Sequence, residues 1–94
     1  TNEGMTDTVM NAARSVGAAG GTVLHGKGTG DSGDERFLNV SIAKEKEIVL
    51  IVAKADKKAD IMKAVIEKAG PSTEAGTIVF SLPVSDIAGF GFGK

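Results

Sequence analysis

Lys44-Glu45-Lys46-Glu47-Ile48-Val49-Leu50-Ile51-Val52 is the stretch on which the fold turns. Alternating charges run into five consecutive apolar residues, four of them β-branched. A continuous run of this kind predicts a strand buried on both faces. Helices of the same chain can cover one face. The other face needs a different cover, and a second copy of the chain is the simplest one.

Working outward, Phe37-Leu38-Asn39-Val40-Ser41-Ile42 alternates and sets Leu38, Val40 and Ile42 on one face, which predicts a strand. It is expected to return alongside an earlier strand at 21–25. Residues 17–33 hold seven of the thirteen glycines. They flank Thr22-Val23-Leu24 and then open into a polar stretch with Lys27 at its base, as expected of a switch or ligand loop. On the N-terminal side, Val9, Ala12, Ala13 and Val16 recur at helical spacing, with Thr6 placed as the N-cap and Gly17 just past the end. On the C-terminal side, Asp56 is placed to cap a helix over 57–68. Its buried stripe is Ile61, Ala64, Val65 and Ala69, with Met62 and Ile66 beside it. Gly70-Pro71 ends that helix, with Gly70 expected in left-handed geometry. Thr77-Ile78-Val79-Phe80-Ser81-Leu82 reads as the last strand, and 89–94 as a tail.

The order α, β, β, α, β favours an α+β domain spanning 1–94, an antiparallel sheet with both helices on one face. One more strand at the front gives the ferredoxin-like, split βαβ plan (βαββαβ). That strand would lie centrally, beside 48–52, and a sheet without it would leave buried amides unpaired. The expectation is that the intact protein carries residues ahead of Thr1.

Composition narrows the function. The chain has 94 residues, a net charge of −1 and no cysteine. The charge balance gives no basic field for a nucleic-acid backbone, so no nucleic-acid partner is expected. No run approaches the ~20 apolar residues of a membrane helix, so no membrane insertion is expected. Without cysteine there is no disulfide and no thiolate metal site. His25 is the one histidine, able to build a metal site only where copies meet at a symmetry axis. Asp31, Asp34 and Glu35 lack the spacing of a calcium loop. Arg14 belongs to a helix rather than a phosphate-cradling loop. No catalytic constellation stands out, and an enzyme is not expected.

Three segments together resemble the PII signal-transduction family, in its divergent PII-like branch. They are Ala12-Ala13-Arg14-Ser15-Val16-Gly17-Ala18-Ala19-Gly20-Gly21-Thr22, then Lys27-Gly28-Thr29-Gly30, then Ile78-Val79-Phe80-Ser81-Leu82-Pro83-Val84. The resemblance implies a ferredoxin-like subunit in a compact homotrimer. Such trimers sense small effectors, often adenine nucleotides, in clefts between subunits. They act on a protein target, such as a transporter or enzyme, through a flexible T-loop, here about 30–41. Residues implied at the effector cleft are Lys27, Gly28, Thr29 and Gly30 on one side and Ser72, Thr73 and Gly76 on the other. Arg36 and Phe37 are implied at the partner surface. Better-known members carry Arg-Gln after the Lys-Gly-x-Gly segment, where this chain has Asp31 and Ser32. Their phosphate loop is rich in glycine and lysine, whereas Gly70-Pro71-Ser72-Thr73-Glu74-Ala75-Gly76 has no base and one acid. Phosphates need donors and positive charge.

These features favour a cytoplasmic, non-enzymatic regulator that requires no cofactor and takes an adenine nucleotide as a weakly bound effector, within nitrogen metabolism as the family theme. One alternative is a structural or protein-interaction trimer without an effector site. Another is a metal-responsive trimer like the divalent-cation tolerance proteins.

Overall fold

The computed structural model describes residues 1–28, 36–37, 40–41 and 44–89. Along the chain run α1 (Thr6–Arg14), β1 (Thr22–Gly28), the two-residue strands β2 (Arg36–Phe37) and β3 (Val40–Ser41), and β4 (Lys44–Leu50). A 3-10 turn at Ala55–Lys57 leads into α2 (Lys58–Ala69). β1 and β4 pair antiparallel from Thr22↔Leu50 to Gly28↔Lys44, and β2 pairs with β3.

The two helices pack on each other through Val9, Ala12 and Ala13 of α1 and Ile61, Val65 and Ala69 of α2. Small residues on α1 bring the backbones together, and the branched ones fill the remaining space. Val49, Ile51, Ala53 and Val79 close this core from the sheet side. Antiparallel partners share a face. Val23, His25, Lys27, Glu45, Glu47 and Val49 therefore lie on the helix side, and Leu24, Ile48 and Leu50 on the other.

That division matches the expectation for one face, which the chain's own helices cover, and leaves the other open within a single chain. Ile48 and Leu50 are half exposed, because a single chain supplies only one layer of helices. The ribbon expected at 37–42 is corrected. The partner of β1 is the charged Lys44–Leu50 stretch, while among the described residues Arg36–Phe37 and Val40–Ser41 pair with each other. Leu38, Asn39 and Ile42 lie outside the described residues. β1 runs past the expected end at residue 25 to Gly28, since Glu45 and Lys44 stand opposite Lys27 and Gly28 to continue the ladder. Residues 77–82 belong to no ladder among the described residues, although Val79 packs on the core and Ile78, Phe80 and Leu82 stand exposed.

The helix ends differ from expectation in the same manner. Neither Thr6 nor Asp56 caps a helix: Met5 precedes α1, and Asp56 sits within the 3-10 turn. Gly70 is extended (φ −68°, ψ −175°) rather than left-handed. It is required by close approach instead, because a Cβ there would lie 2.4 Å from the Ile66 carbonyl oxygen.

Candidate functional site

The candidate effector residues come from two places far apart in sequence, the end of β1 and the loop after α2. Lys27, on the helix-side face, donates from Nζ to Oε1 of Glu45 at 2.6 Å, directly across the ladder. This hydrogen bond raises the lysine's pKa above its ordinary 10.5. The ion pair is exposed, so Lys27 stays reachable from solvent but begins with a partner.

Gly28 faces the opposite side. The aliphatic stem of Lys46 lies across it, and a Cβ at Gly28 would stand 2.9 Å from Lys46 Cε. The Lys46 ammonium donates to Oδ1 of Asn2 at 2.5 Å. Asn2 donates from Nδ2 to the Glu74 carbonyl at 3.0 Å and from its backbone N–H to the Ala75 carbonyl at 2.8 Å. Gly76, with φ +56°, approaches the Asn2 amide so closely that a Cβ would meet Nδ2 at 3.0 Å. Thr73 shapes the same loop, its N–H and hydroxyl both bonding to the Gly70 carbonyl. Ser72 is exposed beside it. Gly28, Lys46, Asn2 and the 73–76 loop thus form one connected patch.

Lys46 and Asn2 were missed by sequence reasoning. The alternation of Lys44-Glu45-Lys46-Glu47 does carry the signal for Lys46, because in a strand it sends both lysines to one face. Nothing local marks Asn2, whose partners lie 44 and 72 residues away. Thr29, Gly30, Asp31 and Ser32 lie outside the described residues, as does most of the proposed T-loop. Of Arg36 and Phe37 only the backbone pairing is described.

Glu47 is the other unforeseen participant. It is 8% exposed and accepts at Oε1 from the Thr6 hydroxyl at 2.7 Å and the Gly4 N–H at 3.1 Å. A carboxylate there caps α1 from across the fold and complements the positive helix end. The Thr6 hydrogen bond, aided by the Gly4 amide, holds its pKa below the ordinary 4.5 against the opposing effect of burial. His25 Nδ1 lies 3.8 Å from Glu47 Oε2. The histidine therefore stands on the helix-side face, away from Leu24, Ile48 and Leu50. Among the described residues no group of three acidic or histidine side chains could hold a metal. Among them, too, no helix is long and apolar enough to cross a membrane.

Two helices on one face of an antiparallel pair, with a glycine-bordered strand end near the loop after the second helix, make a small α+β domain. The family model for nitrogen regulatory protein P-II matches residues 1–90, and the chain belongs to that family. Its fold is accordingly ferredoxin-like, and its members are signalling regulators rather than enzymes. No curated protein and no solved structure matches the chain significantly.

Proposed function

We propose that this chain is a non-enzymatic regulator of the P-II kind, a cytoplasmic homotrimer that senses an adenine nucleotide and acts on a protein target. The observation that carries this reading is the contact chain from Gly28 through Lys46 and Asn2 to the 73–76 loop. It joins the two sequence-distant lobes of the candidate cleft. It also supplies a cation to a loop that has none of its own. Phosphate oxygens of the nucleotide would compete with Asn2 for the Lys46 ammonium, helped by Lys27, Thr29, Ser72 and Thr73. Gly28, Gly30 and Gly76 would admit the ligand close to the main chain.

A ligand with different affinity for two states of the 30–41 segment shifts their populations. Arg36 and Phe37 at the end of that segment would anchor the target, a transporter or enzyme of nitrogen metabolism. Because Lys27 is already paired with Glu45 and Glu74 borders the cleft, binding would be weak. The same two features favour a second reading, a trimer that binds protein without any effector.

Isothermal titration with AMP, ADP and ATP decides between the two. The first reading expects saturable heat with at least one nucleotide and about tenfold weaker binding in Lys46→Gln, the cost of one charge-assisted contact. Absence of heat with all three retires the effector and leaves the protein-binding trimer. For the metal-responsive alternative, zinc and copper titrations of the native chain and His25→Ala would have to differ.

A further inference from the structure

Asn2 is held from two sides. Its main chain forms an antiparallel bridge with Lys46 of β4 and sends its N–H to the Ala75 carbonyl at 2.8 Å, so the backbone already joins the strand to the loop after α2. The carboxamide repeats that join. Its Oδ1 accepts from the Lys46 ammonium at 2.5 Å, and its Nδ2 donates to the Glu74 carbonyl at 3.0 Å. Gly76 leaves no gap on the loop side, since a Cβ there would stand 3.0 Å from Nδ2. An amide is rigid and planar, so its oxygen and nitrogen turn together. Whatever takes the donor away from Oδ1 therefore also changes the hold on Glu74. The loop has a turn of its own with which to respond, because the Gly76 N–H bonds to the Thr73 carbonyl at 3.1 Å.

We propose that Asn2 is the relay of the candidate cleft: its Oδ1 stands in on Lys46 for an anionic oxygen of the ligand, and a ligand that captures the ammonium frees the carboxamide and loosens its hold on the 73–76 loop. The nature of the ligand rests on the nucleotide reading above, whereas the link from Lys46 through Asn2 to the loop does not. Lys46 is placed to change partners. Its stem lies over Gly28, where a Cβ would meet Cε at 2.9 Å, so the ammonium reaches Asn2 across a strip of bare main chain. Its partner there is a neutral amide, and a phosphate oxygen makes the stronger, charge-assisted bond. Lys27 is placed differently, because it is paired at 2.6 Å with the carboxylate of Glu45. The coupling works in both directions. A ligand on Lys46 loosens the loop, and a change that detaches the loop from Asn2 raises the affinity at Lys46.

Isothermal titration with AMP, ADP and ATP on Asn2→Ala and Asn2→Asp tests the competition. Asn2→Ala removes the stand-in and should bind about threefold tighter than the native chain. Asn2→Asp holds Lys46 with a full charge and should bind at least about tenfold weaker. Any other order of the three overturns the proposal; weakening in both variants is what a merely structural or ligand-touching asparagine gives. The link to the loop is read in ligand-free protein by amide exchange. Lys46→Met and Asn2→Ala should each speed exchange at Gly76 by about tenfold, and the double variant no further, because both cut one connection. Additive effects, or an unchanged Gly76 in Lys46→Met, overturn the relay. Should no nucleotide give heat with the native chain, the effector reading fails and the exchange experiment still decides the relay. Should Asn2→Ala not fold, Asn2→Ser takes its part in both measurements.

Discussion

Glu47 shows how much one carboxylate can organise. It sits on a strand, yet its hydrogen bonds go to Gly4 and Thr6 at the start of α1, so it fixes the angle at which that helix meets the sheet. Its folded pKa is depressed, so it adds stability above its unfolded value near 4.5, and that contribution disappears as pH falls through the lower folded pKa. Melting curves between pH 3 and 6 should fall more steeply on acidification in the native chain than in Glu47→Gln, which should also melt lower at pH 7. Parallel curves would mean that the carboxylate's charge is not what caps the helix. Two glycines invite a paired comparison. Gly70→Ala drives a Cβ into the Ile66 carbonyl, backbone that cannot step aside, and should cost about 1–3 kcal/mol in urea unfolding. Gly28→Ala meets only the flexible stem of Lys46, so its stability should stay near that of the native chain while the lysine is displaced from its bond to Asn2.

At the scale of elements, α2 was legible because its stripe repeats at helical spacing, and Ile61, Val65 and Ala69 are buried as the pattern requires. Of β4 only Ile48–Leu50 was legible from the β-branched run: the ladder starts in the charged approach at Lys44 and ends at Leu50, so Ile51 and Val52, expected in the strand, fall outside it. Helix ends were not: α1 takes its cap from Glu47, a group 41 residues away from Thr6, and no local signal encodes such a partner. The candidate site behaved alike. Gly28 and the 72–76 loop could be named from sequence pattern, whereas Lys46 and Asn2, which join them, owe their roles to strand pairing between distant residues. Residues 77–82 kept their alternation but have no described neighbour to pair with, so pattern and ladder part company there. The packing itself can be tested on α2. Val65 is 2% exposed in the centre of the helix pair, and Val65→Ala should destabilise by about 2 kcal/mol through lost burial and a residual cavity. Ile66→Ala, one position round the helix and exposed, should cost well under half as much in the same urea titration.

For the whole molecule, the open face of the sheet decides the state of assembly. Leu24, Ile48 and Leu50 lie together on it, each about half exposed, and Ile78, Phe80 and Leu82 stand more than 70% exposed on the far stretch. An apolar surface of this extent on so small a domain is what the proposed assembly with further copies would cover. Two different parts of this face meeting head to tail between neighbouring copies can close into a threefold ring in which every copy buries it. Burial stabilises at about 25 cal/mol per Å² of apolar surface, so the trimer would hold much of the stability that a 94-residue core lacks. Sedimentation velocity at micromolar concentration should give a mass three times that of the chain, and the melting temperature should rise with concentration. Ile48→Lys places a charge in the middle of the face without touching the helix side of the sheet. It should yield single chains that keep their helical circular dichroism but melt lower and independently of concentration. A native chain that sediments as a folded monomer would leave the exposed face without a purpose and remove the between-subunit cleft from the functional reading. An Ile48→Lys variant that remains trimeric would instead move the interface to some other surface.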